Sequence, residues 1–175
     1  VQTFGWTFAD AGDVASANFL GYMVGALLAP RITSSAYVRL WVAASLVASV
    51  GTTYLGAEVT TLNSWLVIRF LSGVASAFCL VVITTRLIQV LHQEKTEHLG
   101  NVHFAGVGVG ILLCMFAVYM PGDIAVQWAR LGAMGAFSMA IAWFLIADQT
   151  FSIPAVPVPH QGHDKISAHL WRLIA

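Results

Sequence analysis

Residues 65–90 constrain the fold of this chain more than any other stretch. A helix needs roughly 20 apolar residues to cross a bilayer, and this mainly apolar stretch is longer than that. It nevertheless includes a charged residue, Arg69, near its start. An arginine at that depth costs roughly 2.5–3.5 kcal/mol on insertion scales, so it usually faces protein or a water-filled cavity. Ser72, Gly73 and Ser76 follow Arg69 at i+3, i+4 and i+7 and share its helix face. We therefore predict a packed transmembrane helix whose Arg69 face lines a pathway.

The composition is that of a membrane protein. Of the 175 residues, 58% are hydrophobic and 9% are charged, against about a quarter charged in soluble domains. The formal net charge is zero and no basic run occurs, which argues against a nucleic-acid partner. Cys79 and Cys114 lie in different apolar runs, so we expect free thiols rather than a disulfide. No cofactor is predicted.

Five apolar segments divide the chain, and the breaks between them hold Pro, Gly, Ser, Thr and nearly all the charge. Thr7 and Asp10 have the spacing of a capping box, which starts a helix ahead of the first segment. Asn63 or Ser64 can cap the third helix, and the Pro-Gly-Asp sequence at 121–123 predicts a tight turn before the fifth. The prediction is an all-α polytopic bundle of five transmembrane helices within residues 1–150, followed by a linker at 151–175. The apolar segments are 14–30, 36–55, 62–91, 102–120 and 124–147.

The charged residues predict how the bundle crosses the membrane. Basic residues gather at one set of segment ends and acidic residues at the other. Because Lys and Arg favour the cytoplasmic side, the chain is predicted to begin outside and to finish inside. A cytoplasmic start would require one more helix ahead of Val1. The basic set is Arg31, Arg39, Arg86, Lys95, Lys165 and Arg172, and the acidic set is Asp10, Asp13, Glu58 and Asp123.

Small residues predict where helices pack closely. Positions 17, 21, 25 and 29 are all Ala or Gly, which gives the first segment a stripe that lets a neighbouring helix approach in lipid. In the fourth segment, two glycines share the face of His103. The predicted helix-packing glycines are Gly21, Gly25, Gly73, Gly106 and Gly110.

The character of the chain changes after residue 148. Residues 152–159 are rich in proline and predict an extended cytoplasmic linker, followed by polar residues to 165. His160, His163 and Asp164 have metal-ligand spacing, but a solvated linker explains them better. Residues 167–175 turn apolar again, either as an interfacial helix or as the approach to a further transmembrane helix.

Three segments resemble a known family and occur in its order. Residues 15–29 (ASANFLGYMVGALLA), 69–78 (RFLSGVASAF) and 103–111 (HFAGVGVGI) look like the YbfB/YjiJ-like branch of the major facilitator superfamily. The resemblance covers most of residues 11–148 and implies helices two to six of a twelve-helix transporter. It also implies a first helix ahead of Val1 and a second six-helix bundle after Ala175. The loop after the first segment keeps a Gly and two Arg but lacks the superfamily's usual Asp, so it departs from the charge-pair latch typical of the cytoplasmic gate.

Within these helices we predict residues that would line a solute cavity. Arg69 is interpreted as a substrate or gating contact, and the alternative is a structural arginine bonded to carbonyls. Arg130 lies at a similar depth in the fifth segment and could share an anionic solute or extend outward to water. His103 is the proton-coupling candidate, against the alternative of a packed histidine bonded to a carbonyl. The predicted substrate-binding residues are Arg69, Ser76, Asn18, Tyr22 and Arg130; no catalytic or metal-ligating residue is predicted.

The preferred hypothesis is a secondary transporter of a bacterial inner membrane whose partners are a small-molecule solute and the lipid bilayer. An integral-membrane enzyme acting on lipid-like substrates is one alternative, but only His92, Glu94, Glu97 and His98 approach the polar cluster that it would need. A non-transporting membrane scaffold is another. The glycines within 106–110 follow no predicted strand and lack a third correctly spaced glycine, which argues against a nucleotide-binding loop.

Overall fold

The chain folds as an up-and-down series of helices. In the computed structural model, residues 5–33 and 37–147 are described, and within those ranges there is no strand. The all-α prediction is confirmed. The predicted linker at 151–175, with His160, His163 and Asp164, lies outside the described residues. The helices are α1 (Phe8–Thr33), α2 (Val38–Glu58), α3 (Leu62–Gln93), α4 (Gly100–Tyr119) and α5 (Ile124–Ala147), with a 3-10 turn at Glu97–Leu99.

Four helices are long and apolar enough to cross a membrane: α2, α3, α4 and the Ile124–Phe144 part of α5. The first helix is not among the four, because Asp10, Asp13 and its many small residues lower its hydropathy. Large apolar side chains remain on the outside of the bundle, as Leu112 at 67% and Phe137 at 69% exposure illustrate. An exterior of this kind is what lipid solvates.

Residues Val1–Ala142 form one compact unit, and Trp143–Ala175 form a second, of which only the last turns of α5 are described. The contacts between the helices that surround Arg69 all lie within the first unit. The predicted division between a bundle at 1–150 and a linker at 151–175 stays a prediction.

Hydrogen bonds at the helix ends explain where α1 starts. The Thr7 amide donates to Asp10 Oδ2 at 2.8 Å, and the Asp10 amide donates to Thr7 Oγ1 at 3.2 Å. This is the predicted capping box, and it begins α1 well ahead of the apolar segment. Hydrogen bonds from the Thr7 hydroxyl and amide hold the pKa of Asp10 below its ordinary value, because they stabilise the carboxylate.

The cap of α3 differs from the prediction. Asn63 and Ser64 were expected to cap this helix, but the N-cap is Thr61, whose hydroxyl accepts the Ser64 amide at 3.4 Å. The prediction was wrong because Asn63 and Ser64 already lie inside the first helical turn. At the other end of α3, Lys95 takes φ +56° while the Thr96 amide donates to the Leu91 carbonyl at 2.8 Å, closing a left-handed cap.

The turn between α4 and α5 lies where it was predicted. Gly122 adopts φ +156°, and Asp123 Oδ1 accepts the Val126 amide at 2.8 Å, which caps α5. A Cβ at Gly122 would lie 3.0 Å from a Val126 methyl carbon. The local sequence therefore fixes this turn through glycine geometry and an aspartate cap.

The first and third helices pack backbone against backbone. A Cβ at Gly21 would overlap the Phe70 carbonyl oxygen, and one at Gly25 would lie 2.6 Å from the Val74 carbonyl oxygen. Ala29, the next position in the same stripe, is fully buried at 0% exposure. The stripe of small residues is what allows this approach, which in lipid must be driven by packing rather than by the hydrophobic effect.

The second helix packs on α3 and on α5. Trp41 of α2 stacks on Phe78 of α3, with ring centroids 6.4 Å apart. Toward α5, the ring of Tyr54 would lie 2.8 Å from a Cβ at Gly132. These contacts place α2 beside both helices that carry the predicted arginines.

Candidate functional site

Arg69 lies on α3 against an aromatic ring of α5. Its Cζ atom is over the Trp128 ring, 5.4 Å from the centroid. Among the described residues, no carboxylate and no hydrogen-bond acceptor contacts its guanidinium. The sequence predicted the depth of this arginine, and the structure adds the ring that holds it. A ring face stabilises a cation by about 0.5–2 kcal/mol, with the larger values in desolvated sites.

Trp128 belongs to a chain of three tryptophans in contact with one another, which we call the tryptophan cluster: Trp6, Trp65 and Trp128. Trp65 is only 3% exposed, and its centroid is 5.1 Å from that of Trp128 and 6.0 Å from that of Trp6. Its Nε1 donates to the Val59 carbonyl at 2.9 Å. The cluster thus joins the segment before α1 to the starts of α3 and α5.

Sequence reasoning did not identify the tryptophan cluster, although a signal for it was present. Trp65 and Trp128 each stand near the start of an apolar segment, and Trp6 precedes the first segment, at ends that the charges assign to the same side of the membrane. Helices that alternate in direction bring those ends together, so three tryptophans there could have been expected to meet.

The side of α3 that carries Arg69, Ser72 and Ser76 differs from the sides on which α1 and α2 pack, and Gly73 lies at its border with α1. Gly21 and Gly25 of α1 pack on the side of α3 that carries Phe70 and Val74, and Trp41 of α2 packs on the side of Phe78. With 100° between successive residues, Arg69, Ser72 and Ser76 fall on the remaining side. Further along this side, Leu80 and Ile83 are each 37% exposed. This side of α3 is therefore covered by Trp128 near Arg69 and is partly open beyond it.

Three of the predicted cavity residues meet at Gly73, one turn along α3 from Arg69. A Cβ at Gly73 would overlap the Asn18 carbonyl oxygen and would lie 2.8 Å from the Tyr22 amide nitrogen. Ser76 donates its hydroxyl to the Gly73 carbonyl at 3.0 Å. Asn18 and Tyr22 therefore lie beside the helix that carries Arg69 and Ser76, and each is half-buried.

Arg130, the second predicted arginine, has a different environment. Its Nη1 donates to the Met120 carbonyl at 3.1 Å and its Nη2 to the Pro121 carbonyl at 2.7 Å. These carbonyls belong to the end of α4 and the turn after it, so Arg130 ties α5 to that turn. The structure does not bring Arg130 into contact with Arg69. Its role in binding solute stays a prediction.

His103 contacts α3 through a hydroxyl. Its Nε2 lies 3.0 Å from Thr84 Oγ1, and its ring packs edge-on to Phe104. The predicted alternative was a backbone carbonyl, so the partner differs from the one expected. Because a hydroxyl both donates and accepts, Thr84 can bond either the neutral or the protonated ring.

The glycines of α4 are open. No described atom outside the helix backbone lies within 4 Å of a Cβ placed at Gly106 or at Gly110. The predicted packing partner for this face is therefore not among the described residues. The described part of the chain also has no group of three or more His, Cys, Asp or Glu that could hold a metal ion.

Comparison with known protein families decides the class of the molecule. The family model described as "Uncharacterised MFS-type transporter YbfB" matches residues 1–175. The chain belongs to this family. As a YbfB-family chain with helices long enough to span a bilayer, it is an integral membrane protein of the transporter class. The searches of the curated proteins and of the solved structures found no match.

Membership in the YbfB family confirms the resemblance drawn from residues 15–29, 69–78 and 103–111. Two of these segments hold the α1 and α3 residues that meet at Gly73, and the third holds His103. The candidate site of this family member is accordingly the Arg69 face of α3, with Trp128 at one end and the Asn18–Tyr22 turn of α1 beside it.

Proposed function

We propose that the chain forms most of the amino-terminal bundle of a secondary transporter that moves a small anionic solute by alternating access. Family membership supports transport, and the solute class is argued from one observation. Arg69 carries a positive charge inside a membrane-length helix, where among the described residues only the Trp128 ring faces it. A charge kept there at a cost of roughly 2.5–3.5 kcal/mol is explained by a ligand that neutralises it.

The chemistry of the neighbours favours a solute with one negative charge. Arg130 uses two of its N–H groups on backbone carbonyls, whereas Arg69 contacts the Trp128 ring and, within the described part of the chain, keeps all of its donors for a ligand. Charge-assisted hydrogen bonds from a guanidinium contribute about 1.5–3 kcal/mol each, so a carboxylate on Arg69 would bind well inside the membrane. The backbones of Asn18 and Tyr22 pack against Gly73, one turn away, which places their polar side chains on the part of α1 next to the helix that carries Arg69.

The bundle needs a partner to alternate access. Beyond Gly73, where α1 packs, the side of α3 that carries Arg69, Ser72 and Ser76 is covered by neither α1 nor α2, and a second six-helix bundle of the same protein would close it. Rocking of the two bundles about this face would then expose Arg69 to each side of the membrane in turn. The membrane is proposed to be a bacterial inner membrane, and the charges of the helix ends support an orientation with the Lys95 turn and the linker in the cytoplasm.

The test measures binding to the complete protein purified in detergent. The unfolding midpoint of wild type, Arg69→Lys and Arg130→Lys is measured with each of a panel of small monocarboxylates. The neutral amide of each carboxylate is measured alongside it as a control. We expect at least one carboxylate to raise the midpoint more than its amide does, because only the carboxylate can neutralise Arg69. This difference should disappear in Arg69→Lys, since an ammonium lacks the planar fork of the guanidinium.

Arg130→Lys is the matched control. It makes the same change at a similar depth but removes bonds to the Met120 and Pro121 carbonyls. It should lower the unfolding midpoint of the free protein while it keeps the response to the carboxylate. If no carboxylate exceeds its amide, the proposed solute class is wrong. If Arg69→Lys responds as wild type does, the carboxylate does not bind through the guanidinium fork of Arg69.

A further inference from the structure

We infer that Trp128 positions the Arg69 guanidinium for a planar carboxylate, and so acts as a specificity-determining residue of the site. This inference rests on the proposed function. It adds a residue that the sequence did not single out and narrows the solute from any anion to one that a planar fork recognises.

Among the described residues, Arg69 contacts an aromatic ring rather than a hydrogen-bond acceptor. Its Cζ lies over the ring of Trp128, 5.4 Å from the centroid. An aromatic face attracts a cation through the ring quadrupole and uses none of its N–H groups. A guanidinium has five N–H donors in a rigid fork. The contact with Trp128 therefore stabilises the charge while it leaves the fork available.

Arg130 is held in a different way, through hydrogen bonds from its guanidinium. Its Nη1 and Nη2 each donate to a backbone carbonyl, so two of its five N–H groups are already used by the protein. Both arginines lie near the same end of the bundle, and both are half-buried. One is held through its donors and the other through its charge alone. A binding site for an oxyanion needs the second arrangement.

The indole of Trp128 is held in place by residues of α2 and α3. On α2, a Cβ at Gly56 would lie 3.0 Å from Cδ2 of Trp128, so the glycine allows the ring to pack directly on that helix. Trp65 lies against it with an interplanar angle of 59° and is itself fixed by its bond to the Val59 carbonyl. A ring packed by two helices restricts where the guanidinium can sit, and that lowers the entropy lost when a ligand binds.

The position of the Arg69 guanidinium determines which ligands it can bind. A positioned guanidinium binds a carboxylate through two parallel N–H···O bonds, which a lysine cannot reproduce. The solute is accordingly a monocarboxylate, held with its carboxylate at Arg69. Loss of the ring should weaken carboxylate binding even though Trp128 itself makes no hydrogen bond to the ligand.

The experiment uses formate, the smallest planar carboxylate, on the complete protein in detergent. Sodium formate is titrated against sodium chloride at the same ionic strength, and both the unfolding midpoint and the tryptophan emission are recorded. The variants are Trp128→Phe, Trp128→Leu, Arg69→Lys and Trp41→Phe. Trp41 is the matched control because it stacks on Phe78 at the α2–α3 contact, away from Arg69.

In wild type, we expect formate to raise the midpoint and to change the emission, because it neutralises a charge that lies over an indole. Trp128→Leu should weaken the apparent affinity by roughly 2- to 30-fold, and Trp128→Phe, which keeps a ring, by less. Trp128→Phe should also lose the emission change, which Trp41→Phe keeps. A smaller loss of affinity in Trp128→Phe than in Trp128→Leu would show that an aromatic ring is needed at this position to place the guanidinium, rather than any apolar side chain that fills the space.

A second variant covers the case in which Trp128→Leu does not fold. Gly56→Ala keeps the indole but places a Cβ 3.0 Å from its Cδ2, so the ring must shift relative to Arg69. It should weaken formate binding while it keeps the emission of the indole.

The outcomes separate the two proposals. If formate binds Trp128→Leu and Gly56→Ala as tightly as wild type while Arg69→Lys loses it, the role of Trp128 is refuted and the anion site at Arg69 stands. If formate leaves wild type unchanged, the planar-carboxylate inference is refuted. If Arg69→Lys binds formate as wild type does, the planar guanidinium is not what binds the carboxylate, so the inference fails while the anionic solute class stands.

Discussion

Gly21 of α1 lies so close to Phe70 of α3 that a methyl group on Gly21 would overlap the Phe70 carbonyl oxygen. Helical backbones that touch in this way cannot move apart without losing the packing on which helix association in lipid depends. The two helices therefore behave as one rigid element. That element carries Arg69 on α3 and the Asn18–Tyr22 turn on α1, so the two halves of the candidate site keep a fixed relation.

The first prediction concerns this contact. Gly21→Ala should destabilise the protein by about 1–3 kcal/mol or more, because the backbone atom that it meets cannot rotate away. Thermal unfolding in detergent measures the effect. Gly12→Ala is the control on the same helix: nothing lies within 4 Å of its Cβ, and alanine should gain about 0.5–1 kcal/mol there from helix propensity. Equal midpoints for the two variants would contradict the close contact.

The extent of each helix was largely predictable from hydropathy, and the contacts between helices were not. The segment at 124–147 coincides with α5, and the capping box at Thr7 and Asp10 places the start of α1. Asn63 and Ser64 were poor predictions for the cap of α3, because several hydroxyl and amide residues precede that helix and their spacing alone does not select Thr61.

The candidate site was predictable in part for a physical reason. Placing a charge in an apolar membrane helix costs free energy however the neighbouring helices are rotated, so Arg69 stands out from the sequence alone. Which ring faces it depends on how α5 is rotated about its axis, and no local pattern encodes that rotation. The same limit applies to His103, whose partner is the Thr84 hydroxyl of another helix rather than a carbonyl.

The second prediction concerns the left-handed cap of α3. Lys95 has φ +56°, a conformation that costs an L-residue roughly 1 kcal/mol and costs glycine little. Lys95→Gly should therefore raise the free energy of unfolding by up to about 1 kcal/mol. Lys95→Ala removes the same charge but retains the strain, so it should show no such gain in thermal unfolding. A gain of the same size in both variants would point to the charge instead.

The third prediction separates the structural from the coupling role of His103. Thr84→Val removes the hydroxyl partner and should cost about 0.5–1.5 kcal/mol, the net contribution of one hydrogen bond. His103→Gln can still bond the Thr84 hydroxyl but cannot take up a proton. If His103 couples transport to protons, His103→Gln in vesicles should lose accumulation driven by a pH gradient and keep exchange of solute. Gradient-driven accumulation at the wild-type level in His103→Gln would exclude this role.

The fourth prediction concerns pH and the start of α1. Hydrogen bonds from Thr7 lower the pKa of Asp10 below the ordinary 3.8, so the folded state favours the carboxylate. Stabilisation from such a group is fully present above the unfolded pKa and is lost as the pH falls through the folded pKa. The first turn of α1 should therefore fray as the pH drops below about 4, while it is unaffected between pH 5 and 8. Hydrogen exchange of the Asp10 and Ala11 amides measures this. Asp10→Asn should abolish the pH dependence, and Asp13→Asn, one turn further along, should leave it intact, because the dependence comes from the capping box and not from acidic charge on this helix in general.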